Sequence, residues 1–182
     1  MLRTKDILDE KDPRVRAKNT DVDFPLNDEY KDIIPEMLKH LRYSQIEKLS
    51  KKYDLRPGMG LAAPQLGINK NFFVVCYEVK DGIFDDYILI NPKVISYSEE
   101  MIYAGEGEGC FSVNREVEGI VPRHARITVE AYDLDGNKRK YRVREDLAIA
   151  FQHELDHLNG ILFVDYIDPK DPYKNADLYR EI

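Results

Sequence analysis

The pattern of apolar and polar positions predicts β-strands in the middle of the chain. Residues 72–79 (FFVVCYEV) and 87–91 are rich in aromatic and β-branched side chains, which favour extended backbone. Residues 94–97 can extend the second of these strands beyond Pro92. Both runs are therefore strong strand predictions.

A β-hairpin is predicted further along the chain. Residues 127–133 and 138–143 both show strand-like composition, and they flank the turn sequence Leu134-Asp135-Gly136-Asn137. An Asp-Gly step between two such runs is a strong local signal for reversal of the chain. The hairpin leads directly into the segment that carries the most informative motif.

Two segments have a helical pattern. Residues 28–53 are predicted to form one helix or two helical pieces, with a loose apolar stripe that core packing explains best: Leu38, Leu41, Ile46 and Leu49. The second helix follows the hairpin. Glu145 and Asp146 suit the positive end of its dipole, and Asn159 with Gly160 provides a stop signal.

The order of these elements predicts the fold class. Residues 1–27 look irregular, residues 161–166 form a short apolar run, and the last residues form a polar tail. Strands followed by a late helix favour an α+β protein in which helices pack on antiparallel sheet. The chain shows no internal repeat and no strand–helix alternation of the doubly wound type. A single domain over residues 1–182 is therefore expected.

Composition narrows the class of protein further. The chain has 182 residues and a formal net charge of −7, which makes it a poor candidate for binding a nucleic-acid backbone, although a local basic patch remains compatible. No apolar run approaches the ~18 residues of a membrane span, and the charged N-terminus lacks a signal-peptide core. Cytoplasm is the expected compartment. Cys76 is predicted to be a buried apolar residue, and two cysteines do not form a framework of disulfide bonds in a chain of this length.

The sequence His-Glu-Leu-Asp-His, residues 153–157, is the strongest chemical signal. Residues four apart in a helix lie ~40° apart around its axis, so His153 and His157 can bind one metal ion. Glu154 between them is placed to act as a general base. The alternative is a polar helical stretch whose histidines are solvated or satisfied within the core. Two ligands do not complete a metal site, so a third must come from elsewhere.

Two further segments stand out from ordinary fold-building sequence. Residues 58–67 (GMGLAAPQLG) combine glycines, which allow unusual backbone conformations and close approach of a ligand, with the polar Gln65. Taken alone, a tight connection explains this segment better. Residues 108–112 (EGCFS) place Cys110 in a glycine-rich loop, where it is either an incidental free thiol or a metal ligand. One cysteine and two histidines form a known catalytic ligand set that leaves a fourth position open.

These three segments, in this order, resemble the peptide deformylase family. Flanking segments carry the resemblance from about residue 55 to 166: NPKV at 91–94, VPRHARITVEA at 121–131 and HLNGILFVD at 157–165. The long connections before Gly58 and after Cys110 resemble the branch typical of Gram-positive bacteria. Two positions depart from the usual pattern, since Phe111 replaces Leu and Met59 replaces Val or Ile. In the short tail, we do not expect the C-terminal helix that docks some members onto the ribosome.

The resemblance implies a fold, a reaction and a role for each site residue. The fold would be antiparallel sheets around a central metal-binding HExxH helix, with an N-terminal helix. The enzyme would remove the formyl group from N-formylmethionyl nascent peptides and contact the ribosome at most transiently. The implied metal ligands are Cys110, His153 and His157. The implied ion is Fe²⁺, for which Zn²⁺, Ni²⁺ or Co²⁺ can substitute.

The remaining implied roles concern catalysis and substrate binding. Glu154 would transfer protons, while the Gln65 amide and the Phe111 backbone N–H would stabilise the oxyanion. The candidate residues for the substrate pocket are Met59, Gly60, Ile149 and Ala150; plain core packing is the alternative for the last two. Glu108, Arg123 and Asp156 are candidates to orient the ligands or loops, with ordinary ion pairs as the alternative.

Three other functions remain open from the sequence alone. A zinc endopeptidase of the HExxH type would need Asp165 or Asp168 as its third ligand, and would leave Cys110 and Gln65 unexplained. A metal-storage or redox-sensing domain would leave Glu154 and Gln65 unused. An inactive deformylase-like partner protein is disfavoured by the complete set of ligands with Glu154.

Overall fold

A five-stranded sheet forms the centre of the computed structural model, which describes residues 1–182. All neighbouring strands in it are antiparallel, in the order β1-β2-β3-β6-β7. Their bounds are β1 Gly60–Ala62, β2 Phe72–Lys80, β3 Ile83–Tyr97, β6 Arg126–Tyr132 and β7 Lys138–Arg144. The predicted hairpin is confirmed as β6 and β7, because these strands pair from Tyr132 and Lys138 at the turn to Arg126 and Arg144.

The second predicted strand is longer than the sequence suggested. β3 begins at Ile83 rather than at residue 87, and it pairs with β2 through the turn at Gly82, whose φ is 74°. Asp85 and Asp86 have low strand propensity, so the pairing with β2 decides their conformation. Near Pro92, which has no N–H to donate, the register with β6 shifts.

Two helices pack on opposite faces of this sheet. One layer contains α1, Asp28–Gln45, and the other contains α3, Glu145–Leu158. A short helix, α2 Glu47–Tyr53, follows α1 after Ile46, whose backbone is extended. Residues of β2 alternate between the layers: Phe72, Val74 and Cys76 belong to the cluster with α1, while Phe73 and Val75 belong to the cluster with α3. Both faces of β2 are therefore buried, which explains its nearly continuous apolar sequence.

A smaller sheet packs against the other side of α3. Its strands are β4 Met101–Tyr103, β5 Arg123–His124 and β8 Arg180–Glu181, in the order β5-β4-β8. Ile149 of α3 packs there with Ile102 and Ala125. The helix that contains HELDH thus lies between two sheets, as predicted. No helix of the structure is long and apolar enough to cross a membrane.

The predicted polar tail ends in a short strand. β8 pairs in parallel with β4, and Ile182 packs against the cluster that contains Ile149. Arg180 bonds the carboxylates of Glu100 and Glu145. Two polar residues give no strand signal by themselves, so this pairing depends on contacts with distant parts of the chain.

Candidate active site

Three side chains with metal-binding atoms meet on one side of α3. Cys110 comes from the loop between β4 and β5, and His153 and His157 come from consecutive turns of the helix, with ring centroids 5.1 Å apart. One ligand atom from each lies within 4.8 Å of the others, and Cys110 Sγ is 3.3 Å from His157 Nε2. One thiolate and two imidazoles at this spacing fit a first-row divalent ion and leave a position open.

A buried ion-pair network orients the first histidine. His153 Nδ1 bonds the Glu108 carboxylate at 2.8 Å, which leaves Nε2 available on the side of Cys110. Arg123 donates to both oxygens of Glu108, at 2.7 and 2.9 Å, and to Asp156 at 2.5 Å. The three candidate orienting residues therefore belong to one network, and Arg123 is only 3% exposed.

Within this network the ionised form of Glu108 is favoured. Burial alone would raise the pKa of Glu108, but hydrogen bonds from Arg123 and His153 outweigh it and lower that pKa to about 2. Burial depresses the pKa of His157 well below its ordinary value, which favours the neutral imidazole that binds metals.

Glu154 is the one buried carboxylate of the site without a polar partner on one of its oxygens. Its side chain is 3% exposed, and Oε2 accepts no hydrogen bond from the chain. Burial, as the main cause, raises the pKa of Glu154 to about 7. An unpaired buried carboxyl group destabilises a fold, and a pKa near neutrality suits a group that both accepts and returns a proton.

Gly58 and Gly60 allow close contacts rather than unusual backbone angles, whereas Gly67 has a φ of 75°. Gly58 and Gly60 are absent from the residues with positive φ, so the expectation of special conformations is wrong for both. A Cβ on Gly60 would collide with Oε1 of Glu154 and lie within 2.8 Å of its Cδ and Cγ atoms. A Cβ on Gly58 would collide with the Phe111 ring.

Two potential donors belong to residues that line the same cleft as Cys110 and His153. The Gln65 side chain, 1% exposed, accepts from the Ala62 N–H through Oε1, and its Nε2 lies 3.1 Å from Ser112 Oγ and 3.6 Å from Cys110 Sγ. The Phe111 N–H has no acceptor within the chain. The ring of Phe111 turns away into the core, so the departure from Leu affects packing and leaves the backbone donor in place.

A cleft of about 720 Å³ opens beside these groups. All four candidate pocket residues line it: Met59, Gly60, Ile149 and Ala150. Ile149 and Ala150 are each only 7% exposed and also belong to core clusters, so they pack in the core as well as lining the cleft, and their contact with substrate stays a prediction. The sequence did not point to Gln45, Arg56 or Glu116, which line the same cleft without belonging to a motif.

The alternative third ligands lie elsewhere. Asp165 bonds Arg16 and the Leu162 N–H, and Asp168 bonds the Lys170 N–H and the Lys174 side chain. Cys110, and neither of these carboxylates, forms a group with His153 and His157.

Comparisons with known proteins identify the family. The model of the polypeptide deformylase family matches residues 4–173. The peptide deformylase of Macrococcus caseolyticus is 49% identical over 96% of this chain and 95% of its own, and that of Oceanobacillus iheyensis is 46% identical over 95% and 94%. The crystal structure of peptide deformylase from Thermotoga maritima, 32% identical, superposes with a TM-score of 0.69 over 90% of this chain and 97% of its own.

These similarities confirm the resemblance, including the branch typical of Gram-positive bacteria, and the predicted fold class. The family is metal-dependent, and Cys110, His153 and His157 are the group that could hold the ion. The chain belongs to the polypeptide deformylase family and removes the formyl group from the N-terminal formylmethionine of newly synthesised polypeptides.

Proposed function

We propose that Cys110, His153 and His157 hold the catalytic ion and that Glu154 moves the protons of the reaction. The observation that carries this assignment is the buried Glu154 carboxylate, whose Oε2 has no partner, next to the three ligand side chains. No structural role explains a buried carboxyl group left unpaired, since pairing it or replacing it would stabilise the fold.

The proposed ion is Fe²⁺, with Zn²⁺, Ni²⁺ or Co²⁺ able to substitute, because a thiolate and two imidazoles suit several first-row metals. When bound, the ion supplies Lewis acidity toward water and toward the formyl carbonyl group. Glu108 contributes by fixing the ring of His153 through Nδ1.

Glu154 takes a proton from the attacking water and later delivers it to the leaving nitrogen. The new C–O bond forms at the formyl carbon, the C–N bond to methionine breaks, and the products are formate and a free α-amino group. A carboxyl group with a pKa near neutrality can perform both transfers.

The Gln65 side-chain amide and the Phe111 N–H are proposed to bond the formyl oxygen as negative charge develops on it. The Gln65 amide is held by the fold before substrate arrives, because its Oε1 accepts a hydrogen bond from the Ala62 N–H. Pre-oriented donors stabilise a transition state without the free-energy cost of reorienting during the reaction. The cleft wall of Met59, Gly60, Ile149 and Ala150 would receive the methionine side chain.

The whole chain, residues 1–182, is proposed to act as one catalytic domain in the cytoplasm, where newly synthesised chains carry the formyl group. The two sheets share α3 as a common core element, which supports one folding unit. Contact with the ribosome would be transient, and no nucleic-acid contact is needed for the chemistry proposed.

The proposed roles are tested by formate release from formyl-Met-Ala-Ser. Protein loaded anaerobically with Fe²⁺ or Ni²⁺ should release formate, and metal-free protein should not. Cys110→Ala should lose bound metal and activity together, because a ligand is removed. The matched control is Cys76→Ala, since Cys76 is fully buried away from the trio and burial raises the pKa of its thiol to about 12. Full metal content and activity in Cys110→Ala would remove Cys110 from the site.

Gln65→Ala is expected to lower kcat by about 10²–10³-fold, the usual cost of one oxyanion donor. Bound metal should be retained, because Gln65 is not a ligand in the proposal. Steady-state kinetics with metal analysis measures both. A kcat within about twofold of the parent would exclude the assigned role.

Gly60→Ala is expected to lower kcat by about 10²-fold, because the new Cβ would displace the Glu154 carboxylate and a shift of ~1 Å in a catalytic group has a cost of this order. Gly109→Ala is the matched control: Gly109 lines the same cleft, but nothing lies within 4 Å of its would-be Cβ. Equal kcat values for the two variants would contradict the steric argument.

A further inference from the structure

Arg56 makes an unusual set of contacts with the loop that carries Cys110. Its guanidinium donates to three backbone carbonyl groups: Nη2 to Cys110 O at 3.2 Å and to Phe111 O at 2.6 Å, and Nη1 to Val113 O at 3.3 Å. No Asp or Glu side chain forms a salt bridge with it, unlike Arg16, Arg123 or Arg180. The positive charge of Arg56 is therefore directed at the backbone of one loop.

One of these contacts reaches the peptide group that contains the proposed oxyanion donor. The carbonyl of Cys110 and the N–H of Phe111 belong to the same peptide unit, which is planar and conjugated. A cationic donor on the carbonyl oxygen draws electron density from the nitrogen and makes the N–H a stronger donor on the other side. Phe111 lines the cleft, and its N–H has no acceptor within the chain.

The contacts also fix the orientation of this peptide plane. Arg56 holds the carbonyl groups on both sides of Phe111, and the Phe111 ring packs on the backbone of Gly58 and edge-on to His40, 5.4 Å between centroids. Phe111 is thus held by its ring on one side and by its neighbouring carbonyl groups on the other. These contacts hold the direction of the Phe111 N–H constant, as a preorganised donor requires.

We propose that Arg56 is a positioning residue for deformylation, which orients and polarises the Cys110–Phe111 peptide so that the Phe111 N–H stabilises the oxyanion. This inference rests on the proposed role of that N–H. A purely structural role for Arg56 would make the loop less stable and loosen the metal, whereas the positioning role affects the transition state in protein that keeps its metal and its fold.

The test compares Arg56→Met and Arg56→Lys with the parent and with Arg42→Met, all loaded with Ni²⁺. Arg42 is a control of the same chemistry, because it pairs with Asp86 outside the cleft. Each protein is assayed for kcat and KM with formyl-Met-Ala-Ser, for bound metal and for its thermal midpoint. Arg56→Met is expected to lose about 10–100-fold in kcat, less than a direct donor, with KM changed by less than about threefold and one metal retained.

Arg56→Lys separates charge from geometry. An ammonium group keeps the charge but cannot bridge several carbonyl groups as the planar fork does, so we expect a kcat between those of Arg56→Met and the parent. If Arg56→Met fails to fold, the lysine variant decides: a kcat equal to that of the parent contradicts the proposal, and a reduced kcat with full metal supports it.

A double-mutant cycle with Gln65→Ala provides a second readout. Arg56 and Gln65 would act on the same developing charge, so the combined loss in kcat should differ from the product of the two single losses. Loss of activity that follows metal loss in exact proportion would overturn the positioning role. Absence of formate release by the parent would instead reject the proposed function, whereas an active parent with an impaired Gln65→Ala and an unaffected Arg56→Met would reject only this inference.

Discussion

Glu154→Gln is expected to lower kcat for formate release by about 10⁴-fold, near the upper end for general acid–base catalysis, because one side chain performs both proton transfers. Glutamine has the same shape and fits beside Gly60, so the fold and the metal site should persist. Metal analysis together with steady-state kinetics measures the two effects separately. The variant should bind the ion as the parent does and yet release almost no formate.

The comparison with Gly60→Ala strengthens this test. That variant keeps the carboxyl group of Glu154 and displaces it, so its activity should lie between those of Glu154→Gln and the parent. Retention of more than about a tenth of the parental kcat in Glu154→Gln would show that another group, or water, transfers the protons.

The same substitution should change stability in a pH-dependent way. In the metal-free protein, burial raises the pKa of Glu154 from 4.5 to about 7. Between these values the folded state binds a proton that the unfolded state has released, so the parent loses stability as the pH rises through this window. Glutamine does not ionise. Metal-free Glu154→Gln should therefore unfold at a higher temperature than the parent at pH 8, and the difference should shrink toward pH 4.5.

Arg123→Met is expected to destabilise the metal-free protein by about 3–5 kcal/mol, because it leaves the carboxylates of Glu108 and Asp156 buried without their shared cation. Methionine fills much of the same volume, so a cavity contributes little. The loss should appear in urea unfolding as a lower midpoint. Use of metal-free protein separates the network from stabilisation by bound metal.

The matched control for this prediction is Arg126→Met. Arg126 also pairs with a glutamate, Glu100 at 2.8 Å, but its side chain is 58% exposed. An exposed pair contributes at most about 1 kcal/mol, since water and salt screen it. If both variants unfold at the same urea concentration, burial of the Arg123 network has no energetic consequence and the argument fails.

Arg123→Met should also weaken metal binding. Glu108 holds His153 through Nδ1, and Arg123 holds Glu108 with two hydrogen bonds. Without that support the imidazole can rotate away from the position of a ligand, and weaker metal binding by ~10–100-fold is the usual result of losing such a partner. Competition with a chelator measures it, and Arg126→Met should match the parent.

Much of the secondary structure could be predicted from local patterns. The hairpin of β6 and β7 follows from an Asp-Gly turn between two strand-like runs, and α3 follows from its apolar spacing and its stop at Asn159-Gly160. The short strands were missed. β1, β4, β5 and β8 have two or three residues each, too few for a periodic signal.

Residue types and the resemblance could also predict the chemistry of the site. They could not show why each residue is needed at its position. The need for glycine at position 60 comes from the carboxylate of Glu154, which follows it by more than ninety positions. Arg56 belongs to no motif, and only the structure shows that it contacts the Cys110 loop.

The sequence by itself determined the features that depend only on residues close together along the chain. Helical periodicity places His153 and His157 on one face in any helix, so their partnership is readable from spacing alone. The tertiary structure alone decided which distant groups surround them. Cys110 and Glu108 contact the histidines, and Gln65 and Arg123 contact Cys110 and Glu108 in turn. The path of the chain between these elements depends on burial of both faces of β2 and of both sides of α3. Such long-range packing cannot be recognised from any short stretch of the sequence.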